Sequence, residues 1–211
     1  MSAPQNARTA ALEAVIVAHA TELKLPTIRR RFKALADEAA REQQTPVAYL
    51  AALLEAETAE RAERRERRRL NDAKFPALKY LQDFRFEENP KIPQATIAAL
   101  AEGSWITDRE SVILIGDSGT GKTHLATALG IAACQQGRRV RFTTLAALAN
   151  ELQEAHSQHE LARVIGRYTR IELLLVDLCR HRAYAEMDLA RAANVQGPWS
   201  IRALSPVDLS A

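Results

Sequence analysis

"GDSGTGKT", Gly116 to Thr123, is the stretch from which the rest of the chain can be read. It matches G-x-x-x-x-G-K-[ST] at every fixed position. Gly116, Gly119 and Gly121 let the backbone bend so that successive N–H groups turn inward, and Asp117, Ser118 and Thr120 complete that ring of donors. Such a ring receives an anion with several oxygens, a phosphate above all. A helix beginning near Lys122 adds unpaired N–H groups and the positive end of its dipole. In this pattern the lysine, Lys122, reaches the β- and γ-phosphates of a nucleotide, and the hydroxyl of Thr123 coordinates magnesium. The flanks agree, because "SVILI" before the loop reads as a buried strand and "LATALGIAAC" after it as a helix.

The expected partner lies some fifty residues on. In "IELLLVDLCRH", Ile171 to His181, an apolar strand from Leu173 to Val176 delivers Asp177, the second oxygen ligand for magnesium. Designs of this kind place another acidic residue directly after the aspartate to activate water. Leu178 stands there instead, so no catalytic residue is assigned. His124 and Cys134, on the helix after the loop, read as packing residues.

Between these motifs strands alternate with helices. A helix from about Lys122 to Gln136 ends at Gly137, a strand covers Val140 to Thr143, and helical stretches run from about Leu145 to His156 and from Leu161 to Arg167. That alternation means a parallel sheet covered by helices. A length of 211 residues suffices for one ordinary domain and a smaller one, and 47% apolar with 26% charged residues is ordinary globular composition. Cys134 and Cys179 form no disulfide framework or metal-ligand spacing, which points to a reducing cytoplasm. No apolar run is long enough to span a bilayer. Glu13 and His19 interrupt the one N-terminal stretch that resembles a signal-peptide core.

From Thr9 to about Leu70 the pattern is helical. Ile28, Phe32, Leu35, Ala36 and Ala39 recur at helix spacing. After Thr45 and Pro46, a cap and first turn, Tyr49, Leu50, Leu53 and Leu54 form an apolar face. This helix runs into "RAERRERRRL", Arg61 to Leu70. Two readings stand: a solvated helix end with internal ion pairs, or a contact to nucleic-acid phosphates through Arg64, Arg65, Arg67 and Arg68. Pro90 and Pro93 break the periodicity of "LQDFRFEENPKIP" and mark a linker. A helix from about Gln94 to Glu102 then stops at Gly103.

Taken together, "LKLPTIRRRF", the arginine-rich helix, "FPALKYLQDFRFEENP", the phosphate loop with its helix and "LLLVD" resemble the IstB-type ATPases. These are transposition helpers of insertion elements, related to the DnaC helicase loaders, and the likeness spans about Leu23 to Asp177. It implies an α/β P-loop NTPase of AAA+ type behind a small helical N-terminal domain. It also implies ATP and Mg2+ as ligands, and assembly on double-stranded DNA with ATP, bending of that DNA and recruitment of a transposase. The N-terminal domain would be the transposase contact. Leu145 to about Arg167 matches the region where related initiators carry DNA-facing helices. The rival functions are a DnaC-like replication helper, a non-enzymatic interaction protein and an inactive product.

The family pattern also implies a second acidic residue, a "GY" pair and a further strand with sensor residues after Asp177. None is found there. The chain therefore reads as truncated or frameshifted, with a parallel sheet incomplete at the C-terminus. No core strand is expected beyond Leu178, and the phosphate-loop and Asp177 strands are each expected to keep an open edge. The expected organisation is a helical domain over 1–80, a linker over 81–93, a partial ATP-binding domain over 94–178 and an aberrant or divergent tail over 179–211.

Overall fold

A computed structural model describes residues 3–90, 92–117, 119–178 and 199–204 of the protein. They fall into two compact units, Met1–Arg65 and Glu66–Ala211.

The first unit holds α1 (Ala3–Glu22), α2 (Pro26–Arg41) and most of α3 (Pro46–Ala73). Tight left-handed turns close the first two helices. Lys24 and Gln43 take φ of 55° and 53°, and the following N–H groups of Leu25 and Gln44 reach back to Ala20 and Ala39 at 2.8 and 2.9 Å. Ala20, Ile28 and Leu53 form the core, with Leu25, Phe32, Leu35 and Tyr49 packed around them. The buried stripe of α3 is narrower than the sequence suggests, since Leu50 and Leu54 are exposed. It continues from Leu53 into a buried carboxylate, Glu57.

Glu57 has a definite role. Helix α2 starts after Leu25, whose side chain cannot cap, and Pro26 at its first position has no N–H. The next two donors, Thr27 and Ile28, both bond to Glu57 Oε2 at 2.8 and 3.1 Å. A residue thirty positions away thus caps this helix. Burial alone would raise the pKa of Glu57, but the Ile28 and Thr27 N–H groups and the Arg61 guanidinium outweigh it and hold the carboxyl below its ordinary value.

The second unit begins with the last turns of α3. Two single 3-10 turns, Leu81–Asp83 and Phe86–Glu88, precede α4 (Gln94–Ala101), α5 (Ser104–Thr107) and β1 (Ser111–Gly116). Then come α6 (Lys122–Gln135), β2 (Val140–Thr144), α7 (Leu145–Ser157), α8 (Leu161–Tyr168), β3 (Leu173–Asp177) and β4 (Trp199–Leu204). The short helix α5 lies between Gly103 and the strand, where no element was read from the sequence. It forms because Trp105 and Ile106 are buried, and the indole N–H of Trp105 bonds to the Leu100 carbonyl at 2.8 Å.

Strands β2 and β3 pair in parallel, Val140 opposite Leu173 and Thr144 opposite Asp177. Helix α6, buried over most of its surface, is the centre of the unit. Its residues Ala133 and Cys134 pack with Ala73, Trp105, Ile106, Val140 and Leu173. Leu125, nearer its start, packs with Phe84, Ile92 and Ile97. Gly130 brings α6 close to β3, because a Cβ there would lie 2.5 Å from Leu175 Cδ1 and 2.8 Å from the Phe75 ring. Phe84 and Ile92, from the proline-marked stretch, sit in this core beside Leu125 of α6.

One expectation needs correction. A strand does follow Leu178: β4 pairs antiparallel with β1, from Ser111 opposite Leu204 to Gly116 opposite Trp199. Strand β1 therefore has a neighbour along its whole length. Among the described residues no ladder joins β1 to β3. The sequence beyond Leu178 has weak helical periodicity to about Ala193, but residues 179–198 lie outside the described residues.

Candidate functional site

The loop after β1 is built by local chemistry. Gly119 and Gly121 take φ of 83° and 86°, the left-handed region that glycine enters without strain. At Gly121 a side chain is excluded twice over, since a Cβ would also lie 2.6 Å from Phe84 Cε2. Thr120 donates its hydroxyl to the Asp117 carbonyl at 2.7 Å and tightens the turn. Gly121 is the cap of α6, and the first helical residue is Lys122. Ser118, also part of the sequence motif, lies outside the described residues.

The Lys122 ammonium donates to the carbonyls of Gly116 and Asp117, both at 2.6 Å. A lysine that folds back over its own loop holds its charge at the mouth of the ring of N–H groups, within reach of an anion seated there. Next to it Thr123 donates its hydroxyl to Asp177 Oδ2 at 3.0 Å. The two motifs, 54 positions apart in sequence, thus meet at the end of β3 and the first turn of α6. Two hard oxygen donors side by side suit magnesium, which takes one or two protein oxygens and fills its octahedron with phosphate and water. Among the described residues no group of three or more His, Cys, Asp or Glu side chains is placed to hold a metal by itself. The residue after Asp177, Leu178, is 44% exposed and carries no group that orients water.

His124 has more partners than a packing residue needs. Its Nε2 lies 3.0 Å from the Tyr80 carbonyl, and its ring meets the edge of Phe84 at 5.2 Å between centroids. Sequence alone gave no signal for this, because nothing in the segment around Tyr80 marks it as a neighbour of the loop. Cys134 fits its reading as core: it is fully buried, and burial pushes its thiol up to about 11. Its carbonyl accepts a 2.8 Å bond from Arg69 Nε.

The four arginines singled out on α3 are not equivalent. Arg64 donates to Thr27 Oγ1 at 3.3 Å and pairs with Glu57 at 3.4 Å, so it belongs to the polar seam between α2 and α3. Arg65, Arg67 and Arg68 are exposed. The internal ion-pair reading of the run thus holds for Arg64.

A strand, a glycine loop closing on the N-terminus of a buried helix, and an aspartate strand brought to the same point define a P-loop nucleotide-binding unit. The family model described as "IstB-like ATP binding protein" matches residues 18–196, and the chain belongs to that family. The match runs past Asp177, so the likeness extends further than the motifs alone indicate. A Sinorhizobium fredii protein named as an insertion-sequence ATP-binding protein is 35% identical over 173 residues, 82% of this chain and 57% of that protein. A Mycobacterium tuberculosis protein named as an ATP-binding protein in an insertion sequence is 38% identical over 139 residues, 66% of this chain and 55% of its own length. One from Pseudomonas aeruginosa, named for ATP binding in insertion sequence IS21, is 32% identical over 157 residues, 74% and 59% of the two chains. The chain thus spans a little over half the length of these relatives. No helix among the described residues is long and apolar enough to cross a membrane.

Proposed function

We propose that this protein binds ATP with magnesium and serves as a transposition helper of an insertion element, acting on double-stranded DNA together with a transposase. The observation that carries the nucleotide half is the Thr123–Asp177 hydrogen bond at 3.0 Å beside the folded-back Lys122. In this reading Gly116, Asp117, Gly119, Thr120 and Gly121 lend backbone to the phosphates, with Ser118 between them. Lys122 places its charge at the β- and γ-phosphates, and Thr123 and Asp177 hold the metal. The names of the insertion-sequence relatives support the transposition half. Arg65, Arg67 and Arg68 are the part of α3 that offers positive charge to DNA, and copies of the chain assemble along the duplex. A DnaC-like loading role is the alternative within the same fold.

The test is direct. Calorimetry with Mg–ATP should show binding by the wild-type chain and a loss of about a hundredfold or more in Lys122→Ala, which removes a charge-assisted contact to the phosphates. Equal affinity in the two proteins would sink the nucleotide assignment.

A further inference from the structure

His124 follows Thr123 directly, yet its side chain turns away from the loop and toward the Tyr80–Phe86 segment. The Tyr80 carbonyl can only accept, so His124 Nε2 carries the proton and donates across 3.0 Å. The same ring stands edge-on to Phe84, 5.2 Å away at an interplanar angle of 83°. Phe84 in turn is held edge-on by Phe86 at 4.9 Å and buried among Ile92, Ile97 and Leu125. Its ring fills the space where Gly121 would carry a side chain, with Phe84 Cε2 only 2.6 Å from an ideal Cβ. Gly121 is the residue whose φ of 86° turns the chain into α6. One short path therefore links His124 to the glycine that shapes the phosphate cradle.

We propose that His124 is a positioning residue for the phosphate loop: its bond to the Tyr80 carbonyl clamps the Tyr80–Phe86 segment so that Phe84 braces Gly121 in its left-handed turn. The inference rests on the nucleotide-binding reading above and adds to it a residue that acts from behind the loop. The loop itself holds few anchors of its own. Among the described residues Lys122 and Thr120 bond to the Gly116 and Asp117 carbonyls, and nothing lies within 4 Å of where a Cβ on the left-handed Gly119 would stand. A wall on one side of Gly121 is then what keeps the inward N–H groups in register before an anion arrives. Pre-arranged donors bind more tightly than donors that must first be ordered.

The experiment compares two probes, Mg–ATP and inorganic tripolyphosphate, on the full chain. Dissociation constants are measured for wild type, His124→Gln, His124→Leu and Phe84→Leu. Gln carries an N–H donor at a similar reach, whereas Leu fills the volume without one. The expected result is a loss of about tenfold in His124→Leu, the same for both probes, with His124→Gln recovering most of it. Phe84→Leu, which leaves the hydrogen bond and thins the brace, should lose affinity for both probes in parallel by about threefold. It also keeps the inference testable if His124→Leu does not fold. A merely structural role would lower the melting temperature of His124→Leu and leave the affinities of its folded fraction unchanged, which would overturn the proposal. So would a loss confined to ATP, because the segment would then serve the nucleoside and not the loop. Wild type that binds neither probe would remove the nucleotide reading and this inference with it. Wild type that binds both, with unaltered variants, would remove this inference alone.

Discussion

Replacing Glu57 with alanine tests how the helical unit is held together. The carboxylate accepts the Thr27 and Ile28 N–H groups at 2.8 and 3.1 Å and pairs with Arg61 and Arg64 at 3.1 and 3.4 Å. An ordinary helix cap contributes about 1 kcal/mol. Here two donors of one buried helix end lose the acceptor they share, and each unsatisfied group costs roughly 1–3 kcal/mol. Arg61 and Arg64 are about two-fifths exposed, so water screens the loss of their partner and adds well under 1 kcal/mol. Glu57→Ala should therefore destabilise the protein by about 3 kcal/mol, and Glu57→Gln, which keeps one oxygen acceptor, by about half as much. Urea denaturation followed by circular dichroism reads both. The pH dependence gives a second check. The folded-state pKa of Glu57 lies below its unfolded value, so its stabilisation is fully present above about pH 4.5 and is lost as pH falls through the folded value. The gap between wild type and Glu57→Ala should stay constant from neutrality to about pH 4.5 and narrow below it. A variant within 0.5 kcal/mol of wild type, or a gap that widens in acid, would refute the capping account; the 0.5 figure is roughly the spread of ordinary surface substitutions.

The arginines of α3 should separate by role. Arg64→Gln should cost about 0.5–1 kcal/mol of stability, while Arg65→Gln with Arg68→Gln should leave stability unchanged. That double variant should bind all duplex sequences more weakly and lower the salt slope by about 2; an unchanged slope would leave these residues as a solvated face. At the nucleotide site, Leu178→Glu should produce no ATP hydrolysis above that of the parent chain. A clear rise in phosphate release from that single change would show that one carboxylate was all the site lacked.

The phosphate loop was legible because its geometry is local: three glycines, a lysine and a threonine at fixed spacing carry the whole turn. The helices after Thr45 and after the phosphate loop were legible for the same reason, through Pro46 and Gly137 at their ends, whereas the break before Pro26 was not read. Contacts across the sequence were not. Nothing near Glu57 in the chain announces that it caps a helix starting at Pro26, and nothing near Arg64 separates it from Arg65. Prolines at 90 and 93 suggested a linker, while Phe84, Phe86 and Ile92 were the apolar signal that the segment packs. Strand β4 was missed although "WSIRAL" follows a Gly-Pro turn signal. Its alternation of apolar and polar residues is short, and Arg202 makes it read as surface.

Binding and hydrolysis place different demands on this fold. A phosphate cradle needs a short loop, a helix N-terminus and one fixed charge, all within Gly116–Thr123 and braced by packing against α6. Hydrolysis needs, in addition, a carboxylate and a water aligned with the γ-phosphate, and a misplacement of about 1 Å costs on the order of a hundredfold. That alignment depends on how β1, which carries the loop, is held against β3, which carries Asp177. Among the described residues no ladder joins those strands. They are related through α6, which packs on both, and through the Thr123–Asp177 bond. A glutamate grafted at 178 would follow β3, while the phosphate would follow β1 and α6. Nucleotide affinity is therefore the property that tests the cradle by itself, apart from the alignment that hydrolysis requires.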